Sequence, residues 1–379
     1  MPVLAPKLET TIVGAERLVY FTVETSQDPQ VSPPPGYKHI FYTADSGLSW
    51  SGLQAPSSGQ GLATDVHVLG LTGYGDAPLV APWRAIADYF HKEKIHALFS
   101  IYAHHLVTPE LRAAMHQLQP ATQNLADSVA FDRDGIHSAV GQRGIQDYLR
   151  DFNLGRDLYA QLAGPGEPHR GPVYMTGHSL GGVSGLMESI KLKEQDPASV
   201  AGHFSFGLVA GFAHQADPAD KKDKPGFLAR VLESPSQDPN TAGQINKDII
   251  ASGKPILGLA VPPVMWFNPR FVKQYQDWNL LAYGAKNPAK MQLVAPLMSI
   301  VTAVRDGMAQ PLHVEKLYQR HYLPGMELHK IPEADHLFTS SRSGAAGNTD
   351  VVQTLINLLD VDFRQRRKQL TKTSAGPTP

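Results

Sequence analysis

The feature that most constrains the fold is a six-residue stretch, Gly177-His178-Ser179-Leu180-Gly181-Gly182. It follows the apolar run Val173-Tyr174-Met175-Thr176 and precedes a helical pattern that reaches about Glu194. A strand that passes into a helix through so short a link needs a sharp turn with strained backbone at its apex. Glycines two residues either side of Ser179 leave room where side chains would collide with neighbouring chain. The turn lifts the Ser179 side chain out of the sheet and aims the N-terminus of the next helix at it.

The rest of the chain supplies a matching frame. From Thr64 onward, apolar strands alternate with helical patterns. Residues 66–71 read as a strand, and Trp83, Ile86, Ala87 and Phe90 then recur at helical spacing behind Pro82. Residues 97–102 form a second strand. A long amphipathic pattern runs from Ile145 through Phe152 to Leu162, followed by strands at 173–176 and 204–210. The rhythm breaks near Gly211 and resumes with strands at 299–304 and 327–331 and helices near 314–320 and 351–363. This order predicts an α/β fold, a mostly parallel central sheet with helices on both faces.

Upstream, residues 11–13, 18–23 and 39–42 read as strands, and the Gly/Ser/Pro-rich stretch 46–61 reads as a loop. The expected organisation is an N-terminal β segment with its loop (1–62), a first core part (63–210), a cap or lid insertion (211–292), a second core part (293–366) and a disordered tail (367–379).

Composition removes several function classes. The 379 residues carry 34 Lys+Arg against 35 Asp+Glu, so no basic patch for nucleic acid is expected. Cysteine is absent, which excludes disulfides, thiolate metal sites and a cysteine nucleophile. The longest apolar stretches, 255–267 and 293–304, fall short of the roughly 20 residues of a spanning helix, and no integral membrane segment is expected. No basic-then-apolar opening marks a signal peptide. The cytoplasm is therefore the default compartment, with export left open. His104-His105 lacks a third ligand in view and no H-E-x-x-H occurs, so no metal is expected. Gly73-Tyr74-Gly75 matches no phosphate-loop pattern, and no cofactor is needed.

Ser179 is the candidate nucleophile. A serine hydroxyl is weakly nucleophilic at neutral pH and needs an imidazole to take its proton, with a carboxylate to orient that imidazole. The N–H of Leu180, at the head of the helix, is placed to stabilise an oxyanion.

The GHSLGG stretch resembles the elbow of lipases and esterases in the α/β-hydrolase superfamily, and the order of elements is similar over about residues 60–210 and 295–365. The resemblance implies the α/β-hydrolase fold, with an acid and a histidine following the serine in chain order, each in a loop after a late strand. Asp306, in Arg305-Asp306-Gly307-Met308, and His336, in Ala334-Asp335-His336-Leu337, occupy those places. Asp217 and Asp220 stay open as alternative acids and His329 as an alternative base, while Asp335 reads as a turn residue. By position, the resemblance makes Tyr74 the second oxyanion donor, although Thr72 stands where relatives usually carry His.

The proline-interrupted apolar run 255–267, with Val264 and Trp266, is expected to contact substrate together with His178, or else to pack the cap. The implied activity is hydrolysis of a carboxylic ester, esterase or lipase, on a small-molecule ester or lipid through an acyl-enzyme. Acyl transfer, amide, lactone or C–C cleavage, and a non-catalytic binding role remain alternatives. The oligomeric state is left open.

Overall fold

The computed structural model describes residues 6–26, 32–44, 50–57, 62–73, 81–101, 110, 113–114, 117, 144–164, 171–216, 218–219, 221–227, 229, 256–258, 265–267, 273–274, 277–338 and 349–374. In chain order the strands are β1 (Glu9–Val13), β2 (Glu16–Val23), β3 (Tyr37–Ala44), β4 (Ser51–Pro56), β5 (Ala63–Leu71), β6 (Ile95–Ile101), β7 (Val173–His178), β8 (Val200–Phe206), β9 (Ile256–Gly258), β10 (Met265–Phe267), β11 (Met298–Ala303) and β12 (Glu327–Ile331). The helices are α1 (Ala81–Lys92), α2 (Ile145–Ala163), α3 (Leu180–Gln195), α4 (Leu280–Lys286), α5 (Pro288–Val294), α6 (Pro311–His321) and α7 (Thr349–Ser374).

Ten strands make one sheet in the order β1-β2-β3-β4-β6-β5-β7-β8-β11-β12. Pairing is antiparallel from β1 to β4 and between β4 and β6, and parallel along β6-β5-β7-β8-β11-β12, while β9 and β10 form a separate antiparallel pair. This is the α/β-hydrolase fold, with a mostly parallel sheet. Period-two alternation decides which side chain enters which layer. Val68, Ala97, Phe99, Tyr174, Val301 and Ala303 meet α1 and α7 on one face, where Phe90 and Phe363 pack edge to face. Their neighbours Leu69, Leu98 and Met175 point to the opposite face with α2, while Met298 and Ile300 join α3 to α6 there. Strands buried on both faces are why these runs carry so few polar residues.

β5 lies between β6 and β7, so the chain leaves its first parallel strand to one side and later returns on the other. The carboxyl ends of β5 and β7 flank this reversal, the place where open α/β sheets gather their ligand-binding loops.

Four differences from the sequence expectation have physical reasons. β4 falls inside the stretch read as a loop. Its Leu53 and Ala55 are core residues, and two of its polar side chains find partners distant in sequence, with Ser51 Oγ donating to Asp151 at 3.0 Å and Gln54 Oε1 3.1 Å from His39 Nε2. The strand expected at 204–210 ends at Phe206, because Gly207 turns the chain with a φ of +59°. Helices α4 and α5 bury Leu280, Leu281, Met291 and Val294 in the cluster that holds α3, so core packing resumes before residue 293.

Finally, α7 runs through residue 374 instead of giving way to a loose tail after 366. Arg366 is buried and holds Asp362, the Pro296 carbonyl and the Gly325 carbonyl, while Arg367 pairs with Asp65. Asp362 also accepts from Tyr174 and Ser299, so the helix end is tied into two strands. No helix among the described residues is long and apolar enough to cross a membrane.

Candidate active site

Ser179 occupies the link between β7 and α3 with φ of +53°, a conformation that L-residues avoid. Its N–H reaches the Phe206 carbonyl on β8, and its own carbonyl accepts from Val183 in the first helical turn. The flanking glycines are steric necessities. A Cβ on Gly177 would come within 2.6 Å of the Gly181 carbonyl oxygen, and one on Gly181 would lie 1.8 Å from the Leu71 carbonyl oxygen. The head of α3 is thereby pressed against the end of β5. Leu180 is fully buried and sits at the first helical position, where its N–H has no partner in the helix's own ladder.

Two late loops converge on this turn. After β11 the chain folds over, with Val304 N–H on the Ile331 carbonyl and Arg305 N–H on the Ala334 carbonyl. Asp306 follows, buried, its Oδ1 accepting from the N–H groups of Met308 (2.8 Å) and Ala309 (2.7 Å). These two donors help to offset the desolvation of the carboxylate and fix its plane. The second oxygen, Oδ2, lies 2.7 Å from Nδ1 of His336 in the loop after β12. His336 Nε2 lies 3.0 Å from Ser179 Oγ.

A carboxylate can only accept, so Asp306 holds the Nδ1–H tautomer and leaves the Nε2 lone pair toward the serine hydroxyl. The histidine side chain keeps about 13% exposure, open to a reacting group, while the carboxylate behind it has none. This arrangement can take a proton from Oγ as the oxygen attacks an electrophile and can return it to a leaving group.

Of the expected residues, the fold brings together Ser179, His336, Asp306, Leu180 and His178. His178 is buried, stacks on Phe206 at a centroid distance of 4.9 Å, and donates from Nε2 to the His336 carbonyl at 2.7 Å. Gly207 makes room for it, since a Cβ there would lie 2.9 Å from Nε2. The Asp335 backbone carbonyl accepts the Phe338 N–H in a turn, and His329 stays within β12, beside Glu327.

Tyr74, Val264, Asp217, Asp220 and His104-His105 lie outside the described residues, and of Trp266 only the backbone, in β10, is described. The strand end before Tyr74 is held, with Thr72 donating from its N–H to Ser100 Oγ and from its hydroxyl to the Ser100 carbonyl. The Met308 and Ala309 donors were legible as amides two and three residues after an aspartate; the His178 contact carried no local signal. Among the described residues, His214, Asp223 and His313 form a group able to hold a metal ion, outside this site.

No protein-family model matches the chain, and no curated protein matches it in sequence. Solved structures do resemble it. A protein of Agrobacterium vitis S4 that bears the provisional name of hydrolase superposes with a TM-score of 0.52 at 12% identity, covering 94% of this chain and 99% of its own. Alpha/beta hydrolase domain-containing protein 10 from mouse gives a TM-score of 0.47 at 12% identity, over 95% and 99%. A soluble variant of monoglyceride lipase from Saccharomyces cerevisiae gives 0.45 at 13%, over 98% and 96%. Identity at this level speaks to the fold and leaves substrate and residue roles to the site itself.

Proposed function

We propose that the protein is a serine hydrolase that cleaves carboxylic esters through an acyl-enzyme. The observation that carries this reading is the unbroken line from Asp306 through His336 to the Ser179 hydroxyl, at 2.7 and 3.0 Å. Ser179 Oγ adds to the ester carbonyl carbon while its proton passes to His336 Nε2. The tetrahedral oxyanion takes hydrogen bonds from the Leu180 N–H and, from the loop after β5, the Tyr74 N–H. Collapse breaks the bond to the alcohol oxygen, which leaves with the proton from His336. Water then repeats the sequence on the acyl-enzyme, releases the acid and restores Oγ–H. Asp306 keeps its hydrogen bond to His336 Nδ1 and stabilises the imidazolium.

The substrate class follows from the insertion. We place Val264 and Trp266 in a cap over the serine, where the apolar run 255–267 would face a medium or long acyl chain. The test is hydrolysis of p-nitrophenyl esters from acetyl to palmitoyl, with Ser179→Ala beside the wild type. Expected are rates that rise with chain length and vanish in the variant. Serine-dependent turnover of short esters alone would overturn the acyl-chain reading, and turnover that survives Ser179→Ala would overturn the mechanism.

A further inference from the structure

Outside the proposed catalytic line, two histidines and a carboxylate converge from different parts of the chain. His214 and Asp223 belong to the loop that leaves β8, and His313 lies in the first turn of α6. One ligand atom from each of the three lies within 4.8 Å of the others. We propose that His214, Asp223 and His313 bind a divalent transition-metal ion of the zinc type, which would tie the root of the 211–292 segment to the helix behind the Asp306 loop.

The donor set is two imidazoles and one carboxylate, hard enough for oxygen and soft enough for nitrogen, a set suited to zinc. Zinc ligands stand about 2.0–2.2 Å from the ion, hence about 3.4 Å from one another. The present spread of up to 4.8 Å would have to close by about 1.4 Å on binding.

The surroundings already have the form of an outer shell. His313 Nε2 donates to the Lys224 carbonyl at 2.8 Å, which fixes its tautomer and leaves Nδ1 with the lone pair. Asp223 Oδ2 is 2.7 Å from His214 Nε2, while Oδ1 is held by Lys316 Nζ at 2.6 Å. A carboxylate that gives one oxygen to a metal and the other to a hydrogen-bond donor is the usual second-shell pattern. Binding requires the His214 proton to move from Nε2 to Nδ1, which that partly exposed ring can exchange with solvent. The Lys316 ammonium remains on Oδ1, so the ion meets one anionic ligand whose charge is shared.

Backbone geometry fixes the loop around the group. Gly226 N–H closes onto the His214 carbonyl, and a Cβ on Gly211 would lie 2.6 Å from the His313 ring. The helix side is joined to the same loop by Gln310, whose amide donates to the Pro225 carbonyl. Three protein ligands leave one coordination position for water. The inference stands independently of the ester reaction, since it rests on residues with no part in the proton path.

The experiment is equilibrium dialysis of the full chain, stripped with chelator, against zinc chloride, with metal counted per chain and thermal unfolding followed alongside. Expected is one zinc per chain, with a Tm that climbs as zinc is raised. Stoichiometric binding should be lost in His214→Gln and in Asp223→Asn, and kept in His329→Ala, a control at a partly exposed histidine outside the group. Cobalt(II) in place of zinc should give the visible ligand-field absorption of a nitrogen- and oxygen-bound ion in the wild type. Absence of stoichiometric zinc in the wild-type protein would overturn the proposal without reference to any variant. So would zinc binding that persists unchanged in both His214→Gln and Asp223→Asn.

Discussion

His178 Nε2 donates a hydrogen bond to the backbone carbonyl of His336 across 2.7 Å. The residue immediately before the proposed nucleophile therefore holds the loop that carries the proposed base. Sequence places these two histidines 158 positions apart, yet the approach of Oγ to Nε2 depends on both ends of this bridge. Replacing His178 by leucine removes the donor while keeping an apolar side chain against Phe206. The expected outcome is a kcat lower by about 10- to 100-fold, the scale of a misplaced catalytic group, with KM little changed. His178→Asn, which can still donate, should recover part of the loss. Steady-state kinetics on one ester decides it, and unchanged kcat in His178→Leu would refute the positioning role.

The glycine requirement around Ser179 is testable by contrast with a glycine that has space. Gly181→Ala forces a Cβ to 1.8 Å from the Leu71 carbonyl oxygen, a backbone atom that cannot step aside without moving β5. Loss of folded protein, or a severe fall in Tm together with activity, is expected. Gly307→Ala, in the Asp306 turn, meets nothing within 4 Å and should alter unfolding free energy by no more than about 0.5 kcal/mol. Equal behaviour of the two variants would contradict the packing described for the head of α3.

Acid sensitivity should carry the mark of His203. It is fully buried between Ser189 and Ser205, and burial pushes it down to about 3 from the usual 6.5. The unfolded chain takes this proton near pH 6.5 and the folded one only near pH 3. Stability is thus complete above pH 6.5 and falls as pH drops through the window between the two values. The contribution is about 1.4 kcal/mol per pH unit in that window. Urea unfolding from pH 7 to 4.5 should show a shallower acid limb for His203→Gln than for wild type. Parallel limbs would show that His203 charges without cost.

The end of α7 should matter to stability. Arg366 is buried against Asp362 and two carbonyls, so Arg366→Ala leaves Asp362 short of a cationic partner. A loss of about 3–5 kcal/mol is expected, the cost of breaking a buried pair from one side. Denaturant unfolding measures it, and a change below about 1 kcal/mol would mean that this end of the helix contributes as little as a loose tail.

Much of the frame was legible because its signals are local. Gly177 and Gly181 flank Ser179 at the spacing the turn demands, and the apolar runs at residues 66–71 and 97–102 match strands buried on both faces. Asp306 and His336 were legible by resemblance, each a short step beyond an apolar strand. The misses share another character. Ser51, Gln54 and Arg366 are polar residues whose buried partners, Asp151, His39 and the Pro296 carbonyl, are distant in sequence. Polarity there reads as loop or tail until the fold supplies the partner. The bridge from His178 to the His336 carbonyl likewise joins residues distant in sequence and left no local signal.

Everything proposed for the reaction turns on Ser179 as the nucleophile. The most direct measurement is reaction of the native protein with a fluorophosphonate, followed by peptide mass mapping. One phosphonyl group per chain, on Ser179 and with fluoride released, is the expected result, and labelling should slow sharply in His336→Ala. No adduct, or an adduct at another residue with Ser179 unmodified, would contradict the account.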